Sequence, residues 1–146
     1  DQKRQPTGAR PENFTQILGE FFRQGWDETV LNRYYRATRP LYTTQLFIPE
    51  MGADHAPRAF GVEKLIRPSN WVIVYKGQVS APTDGRYRFL AYADDLIAVA
   101  VNNRLVVLAG RPDSVNRLPI WSPPPQGPRF PAANGHLVYG DWLDLR

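Results

Sequence analysis

The chain has 146 residues, 42% of them hydrophobic and 22% charged, with seven Tyr, seven Phe and four Trp. That length favours one domain burying roughly 68–70% of the unfolded surface, and the aromatic content excludes a chain disordered by composition. The net charge of +4 comes from 18 cations, fifteen Arg plus three Lys, against 14 Asp and Glu. The arginines lie singly from Arg4 to Arg146, without the concentrated field that phosphate-backbone binding requires, so no nucleic-acid partner is expected.

The longest unbroken apolar run, Leu96 to Val101, has six residues, far below the roughly 18 that a membrane-spanning helix needs. The chain is therefore not expected to be membrane-spanning. Without cysteine there is no disulfide framework, no thiolate nucleophile and no Cys-based zinc site. The opening Asp1-Gln2-Lys3-Arg4-Gln5 carries no apolar signal core, so any export signal has been removed or lies outside this sequence.

Residues 1–12 are polar, contain Pro6, Gly8 and Pro11, and read as a flexible tail. Residues 13–146 read as a single domain whose front part is helical. Phe14, Ile17, Leu18, Phe21 and Phe22 recur at three- and four-residue spacing, which predicts a helix stopped near Gly25. A second helix is expected behind an Asp27 N-cap, because Val30, Leu31, Tyr34 and Tyr35 fall on one face before Pro40.

From Leu41 the pattern changes to that of strands. Tyr42 to Ile48 is rich in Tyr, Thr and Phe and ends at Pro49, as a short strand would. Gly52 to Gly61, with Asp54 as cap and Pro57 in the first turn, predicts one helical turn. In Trp71 to Val79 the apolar residues Trp71, Ile73, Tyr75 and Val79 alternate with polar Lys76, Gln78 and Ser80, which predicts a half-buried strand with Trp71 in the core.

Thr83-Asp84-Gly85 is expected to turn that strand into a second one, Arg86 to Ala93, with Tyr87, Phe89 and Ala91 inward and the arginines outward. After Asp94-Asp95 the run Leu96 to Val101 is apolar on both faces, as in a central strand. Asn102-Asn103 then supplies a two-residue turn into Arg104 to Ala109, since Asn tolerates the left-handed conformation at both positions. The reading is an antiparallel meander from Tyr42 to Ala109. Ser122 to Pro128 is a proline-rich loop, and strand pattern resumes at His136 to Tyr139. Trp142 to Arg146 is still apolar where the sequence stops, which predicts either an incomplete strand, the domain being cut short there, or a strand completed by residues or a partner beyond it.

The stretch from Gly77 to Leu108 resembles the protective-antigen-type (PA-fourteen) domain, a β-sandwich of toxin components, flocculins and adhesins that also occurs inserted in glycosidases. The matching pieces are the Trp71-to-Gly77 strand, Ala81-Pro82, Gly85-Arg86-Tyr87-Arg88-Phe89, the pair Asp94-Asp95 and the hairpin at Asn102-Asn103. About 40 residues match well and about 70 loosely, in the family's order and spacing, judged by residue pattern. The helical front third is not part of the family pattern. The resemblance implies a mainly β fold, a jelly-roll-type antiparallel β-sandwich with short N-terminal helices.

It also implies a site. In flocculin-type members the paired aspartates, joined by a cis peptide, hold a calcium ion that binds sugar hydroxyls, a role carried here onto Asp94 and Asp95. On a strand, adjacent side chains point to opposite faces, so two neighbouring carboxylates converge on one cation only where the backbone leaves strand geometry. The plainer alternative is that Asp94 and Asp95 hydrogen-bond loop amides at a strand end. Asn134 and Asp141 have ligand chemistry but no motif match. Trp121 and Trp142 are candidates for stacking on sugar faces, with Trp121 expected to be the exposed one because Ser122-Pro123 pulls the chain into a loop.

No catalytic arrangement emerges: His55 and His136 are the only histidines and belong to no His-x-x-x-His or Gly-x-Ser-x-Gly pattern. The expectation is a non-catalytic module at an extracellular, cell-surface or periplasmic location, binding a glycan or another cell-surface ligand, with calcium as the implied cofactor. The alternative is a structural module whose partners are other protein subunits, with the Asp pair purely architectural.

Overall fold

The computed structural model describes residues 1–43, 52–124, 131–132 and 135–146. The strand expected over Tyr42 to Ile48 lies, beyond Thr43, outside the described residues, as do Asn134 and the end of the proline loop. The chain divides into two compact units, one made of Asp1–Phe14 with Thr29–Gln78 and the other of Thr15–Glu28 with Val79–Arg146.

In the first unit, residues 1–12 carry specific hydrogen bonds. The Gln2 side-chain amide donates to the Arg36 carbonyl at 2.7 Å and accepts from the Arg36 N–H at 3.0 Å. The Thr7 hydroxyl donates to the Arg33 carbonyl at 2.7 Å, and the Arg4 guanidinium lies 4.2 Å from the Tyr35 ring centre. Where a second α-helix was expected, Glu28–Arg33 forms a 3-10 helix that buries Val30. Phe14 and Tyr34 meet edge to face at 6.0 Å. The helical turn expected near Pro57 is α2, Ala56–Ala59, with Ala56 and Pro57 buried.

Trp71 is half-buried rather than core, and its indole N–H donates to the Ala53 carbonyl at 2.8 Å. Residues 71–79 belong to no strand ladder among the described residues. Their alternation survives as burial alone, with Trp71 and Ile73 half-buried and Val72 and Val74 exposed. An alternating pattern specifies which face is covered; a ladder also needs a partner in register, and no local signal supplies one.

The second unit opens with α1, Phe14–Arg23, which buries Ile17, Leu18 and Phe21 along one stripe, as the spacing predicts. The helix ends where the Gly25 and Trp26 N–H groups bond back to the carbonyls of Phe22 and Phe21. Phe21, Phe22 and Trp26 then cluster with ring centres 5.0–5.5 Å apart.

The strands of this unit are short. β1, Gly85–Tyr87, and β2, Leu90–Ala91, run along one line; β3, Leu96–Val101, and β4, Arg104–Gly110, form a hairpin; α3 covers Pro112–Val115. Later come β5, Pro131–Ala132, β6, Gly135–His136, β7, Val138–Tyr139, and β8, Leu143–Leu145. Among the described residues the ladders are two-stranded and antiparallel, β1 with β8, β2 with β7, β3 with β4 and β5 with β6. The β3–β4 hairpin matches expectation. Asn102 and Asn103 turn it at φ of 51° and 61°, and a bulge between Val99 and Ala100 breaks its register.

The mainly β, closed sandwich is not what forms. Among the described residues the strands are short and no more extensive than the helices, and their ladders do not close into a sandwich. The expected four consecutive strands from Trp71 to Ala109 reduce to one local hairpin, because β1 and β2 pair with β8 and β7, some fifty residues later along the chain, instead of with residues 71–79. Thr83-Asp84-Gly85 consequently joins no hairpin. The Tyr87 hydroxyl folds back to donate to the Thr83 carbonyl at 2.8 Å. Trp142 to Arg146, expected to await an outside partner, contributes β8 to that ladder, with Leu143 buried.

The two-sided strand is β4 rather than β3. Val106, Val107, Leu108 and Ala109 are at most 2% exposed, whereas β3 is half-buried throughout. Ala91, Val107 and Ala109 form the buried cluster, with Phe89, Ile97, Val99, Trp121 and Val138 packed on it. Between β7 and β8, Gly140 donates to the Phe89 carbonyl at 2.9 Å and Asp141 to the Val106 carbonyl at 2.8 Å, which ties this stretch to both neighbours.

Candidate functional site

The β1–β8 register places Arg86 opposite Asp144 and Tyr87 opposite Leu143. Because side chains alternate across a strand, Tyr87 and Leu143 face the interior while Arg86 and Asp144 share the outer face; Arg88 and Trp142, just beyond the ends of β1 and β8, meet beside them. The inward Tyr87, Phe89 and Ala91 and outward Arg86 are as expected. Trp142 is 46% exposed. The Arg88 guanidinium lies 4.5 Å from the Trp142 ring centre and 3.9 Å from that of Tyr139, and Arg86 lies 5.2 Å from Trp142. Such a contact contributes about 0.5–1 kcal/mol where exposed, as between Arg86 and Trp142, and about 2 kcal/mol where desolvated. The Arg86 to Asp144 ion pair, at 3.9 Å with both side chains mostly in solvent, adds little. Among the described residues Arg88 has no carboxylate partner.

Asp94 and Asp95 are exposed in the bend between β2 and β3. No peptide bond is cis among the described residues. The Asp95 carbonyl accepts from the Arg111 N–H at 3.1 Å, and the Arg111 side chain pairs with Asp113 at 3.2 Å. The Asp113 hydrogen bond and charge, followed by the Asp94 and Asp95 charges, hold the Arg111 pKa above its ordinary value. The same Arg111 hydrogen bond holds the Asp113 carboxyl below its ordinary range. Calcium takes six to eight oxygens; this bend supplies two adjacent carboxylates next to a resident cation, and no cluster of three metal-ligating side chains occurs among the described residues.

Trp121, expected to project from its loop, is half-buried and packs on the Ala91, Val107 and Ala109 cluster, because the apolar area of an indole favours burial. Its indole nitrogen is buried and has no hydrogen-bond partner among the described residues. Asp141 pairs with Arg104 at 4.0 Å. His55 is exposed, with Asp54 at 3.6 Å. In the first unit a hollow of about 720 Å³ is lined by Ala37, Arg39, Pro40, Tyr42, Phe60 and Leu65 among others. Its lining is chiefly apolar, and Tyr42 at its rim is 95% exposed.

Sequence reasoning singled out Trp142 but read Arg86 and Arg88 only as outward polar residues and missed Tyr139. The local signal was present: Arg-Tyr-Arg and Trp-Leu-Asp each place polar or amphipathic groups two residues apart around one apolar residue. What joins them is a ladder between segments distant in sequence. The chain matches no protein-family model, no curated protein and no solved structure. The likeness to the PA-fourteen domain therefore rests on the residues quoted for it.

Proposed function

We propose that the chain is a non-catalytic binding module for carbohydrate or another surface ligand, and that its binding face is the outer side of the β1–β8 ladder. The observation that carries this reading is Trp142, 46% exposed and flanked by two guanidinium groups. An exposed indole offers a flat apolar surface to the C–H face of a sugar ring, and guanidinium N–H groups donate to the hydroxyl and carboxyl oxygens around it. The Arg111 cation beside Asp94 and Asp95 supports calcium-independent binding.

A glycan array probed with the full chain tests this, with and without a chelator and alongside Trp142→Ala. Expected are discrete glycan signals that persist in chelator and fall about tenfold or more in the variant, the loss that goes with removing about 1.4 kcal/mol of contact. Signals abolished by chelator would return calcium binding to Asp94 and Asp95. An array blank for the folded wild-type chain overturns the carbohydrate reading.

A second reading, a structural module that docks on other protein subunits, is favoured by one observation. Val72, Val74 and Tyr75 are exposed within a segment of strand-like sequence. Exposed segments of this kind invite pairing with another chain. Light scattering that finds a stable oligomer, dispersed by Val72→Lys with Val74→Lys, would place this reading first.

A further inference from the structure

We propose that the outer face of the β1–β8 ladder selects anionic polysaccharide, glycan chains bearing carboxylate or sulfate groups, with Arg88 as the anion-reading group and Trp142 as the stacking platform. The inference rests on the carbohydrate reading above and names the class of glycan. Its basis is how the Arg88 guanidinium is held. That group lies over two rings, Tyr139 at 3.9 Å and Trp142 at 4.5 Å, and among the described residues no carboxylate neutralises it. Stacking occupies the faces of a guanidinium, whereas its five N–H donors lie in the plane and point outward from the edge. A cation held against two rings in this way is restrained in orientation, and Arg88 is half-buried rather than enclosed. The guanidinium edge matches two oxygens of a carboxylate or sulfate bidentately, and little side-chain entropy is lost on binding because the stack already orders the arginine.

Arg86, two residues before Arg88 and opposite Asp144 in the β1–β8 register, is partly neutralised by Asp144 at 3.9 Å. The face therefore presents one half-buried cation without a carboxylate partner among the described residues, one shared cation and one exposed indole. This composition suits a polymer that offers an apolar ring face beside an occasional anion. It suits a nucleic acid poorly, because two cations neutralise at most about two phosphates and leave only a small salt-dependent gain.

The test is isothermal titration of the full chain at about 0.15 M salt with dextran, dextran sulfate, polygalacturonate and single-stranded DNA. Expected is binding to dextran sulfate and polygalacturonate and none to dextran or DNA. Arg88→Gln weakens that binding about tenfold, and Arg88→Lys, which keeps the charge without the planar fork, restores only part of it. Arg58→Gln, the same loss of charge at an exposed arginine of α2, leaves binding unchanged. Asp144→Asn, which releases Arg86, tightens it and decides the matter should the Arg88 variants fail to fold. Binding to dextran as strong as to its sulfate leaves the carbohydrate reading standing and overturns this inference. Binding to none of the polysaccharides overturns both, and DNA bound as tightly as polygalacturonate, or an Arg58→Gln loss equal to that of Arg88→Gln, identifies an unselective basic surface and overturns the inference.

Discussion

Arg111 closes the bend that carries Asp94 and Asp95 through its backbone. Its N–H donates to the Asp95 carbonyl, and its side chain is held by Asp113, two residues on. The hydrogen bond from Arg111 stabilises the ionised Asp113 carboxylate in the folded chain, so the Asp113 pKa lies below the ordinary 3.8. A depressed carboxylate contributes stability at pH values above its unfolded pKa and loses that contribution as pH falls through the folded one. Both groups are exposed, so the contribution to stability is slight. The direction is still measurable: carboxyl-carbon NMR should find Asp113 titrating below the ordinary aspartate range, and Arg111→Gln should move it upward. An Asp113 midpoint unchanged by that substitution would show that the ion pair is not formed in solution.

At the scale of elements, the stretch between β7 and β8 is the joint of the second unit. Gly140 lies so close to its neighbours that a Cβ there would come within 2.7 Å of the Val106 carbonyl oxygen and 3.1 Å of Val107 Cβ. Both contacts belong to β4, the most buried strand, which has no room to move aside. Gly140→Ala should therefore destabilise the fold by about 1–3 kcal/mol, read as a lower urea midpoint at unchanged slope. An unchanged midpoint would mean that this stretch does not lie against β4. The β3–β4 hairpin is the contrasting case, since its Asn-Asn turn and its strands are contiguous in sequence and its geometry follows from local preference.

For the whole molecule, the question is which of several similar apolar segments becomes core. Val79 and Val107 both lie in stretches with strand pattern, yet Val79 is 67% exposed and Val107 fully buried. Val107→Ala should cost about 2 kcal/mol, whereas Val79→Ala should stay within about 0.5 kcal/mol. Chemical denaturation of the two variants side by side checks the assignment, and equal losses would refute it. α1 and its stop at Gly25, the turn at Pro57, the Asn102-Asn103 hairpin and the outward direction of Arg86 were legible from the residues alone. These depend on period and turn chemistry within a dozen residues. Long-range packing, by contrast, set the pairing of β1 with β8, the covering of β4 rather than β3 on both faces, the inward packing of Trp121 and the place of Arg111 beside the aspartate pair. The binding face belongs to this second group, since Arg88 and Trp142 are more than fifty residues apart in sequence and meet only through the β1–β8 register. The physical reason is that alternation tells a strand which face to bury but not which strand to pair with. That choice is a competition among long-range pairings, settled by loop closure and packing over the whole chain.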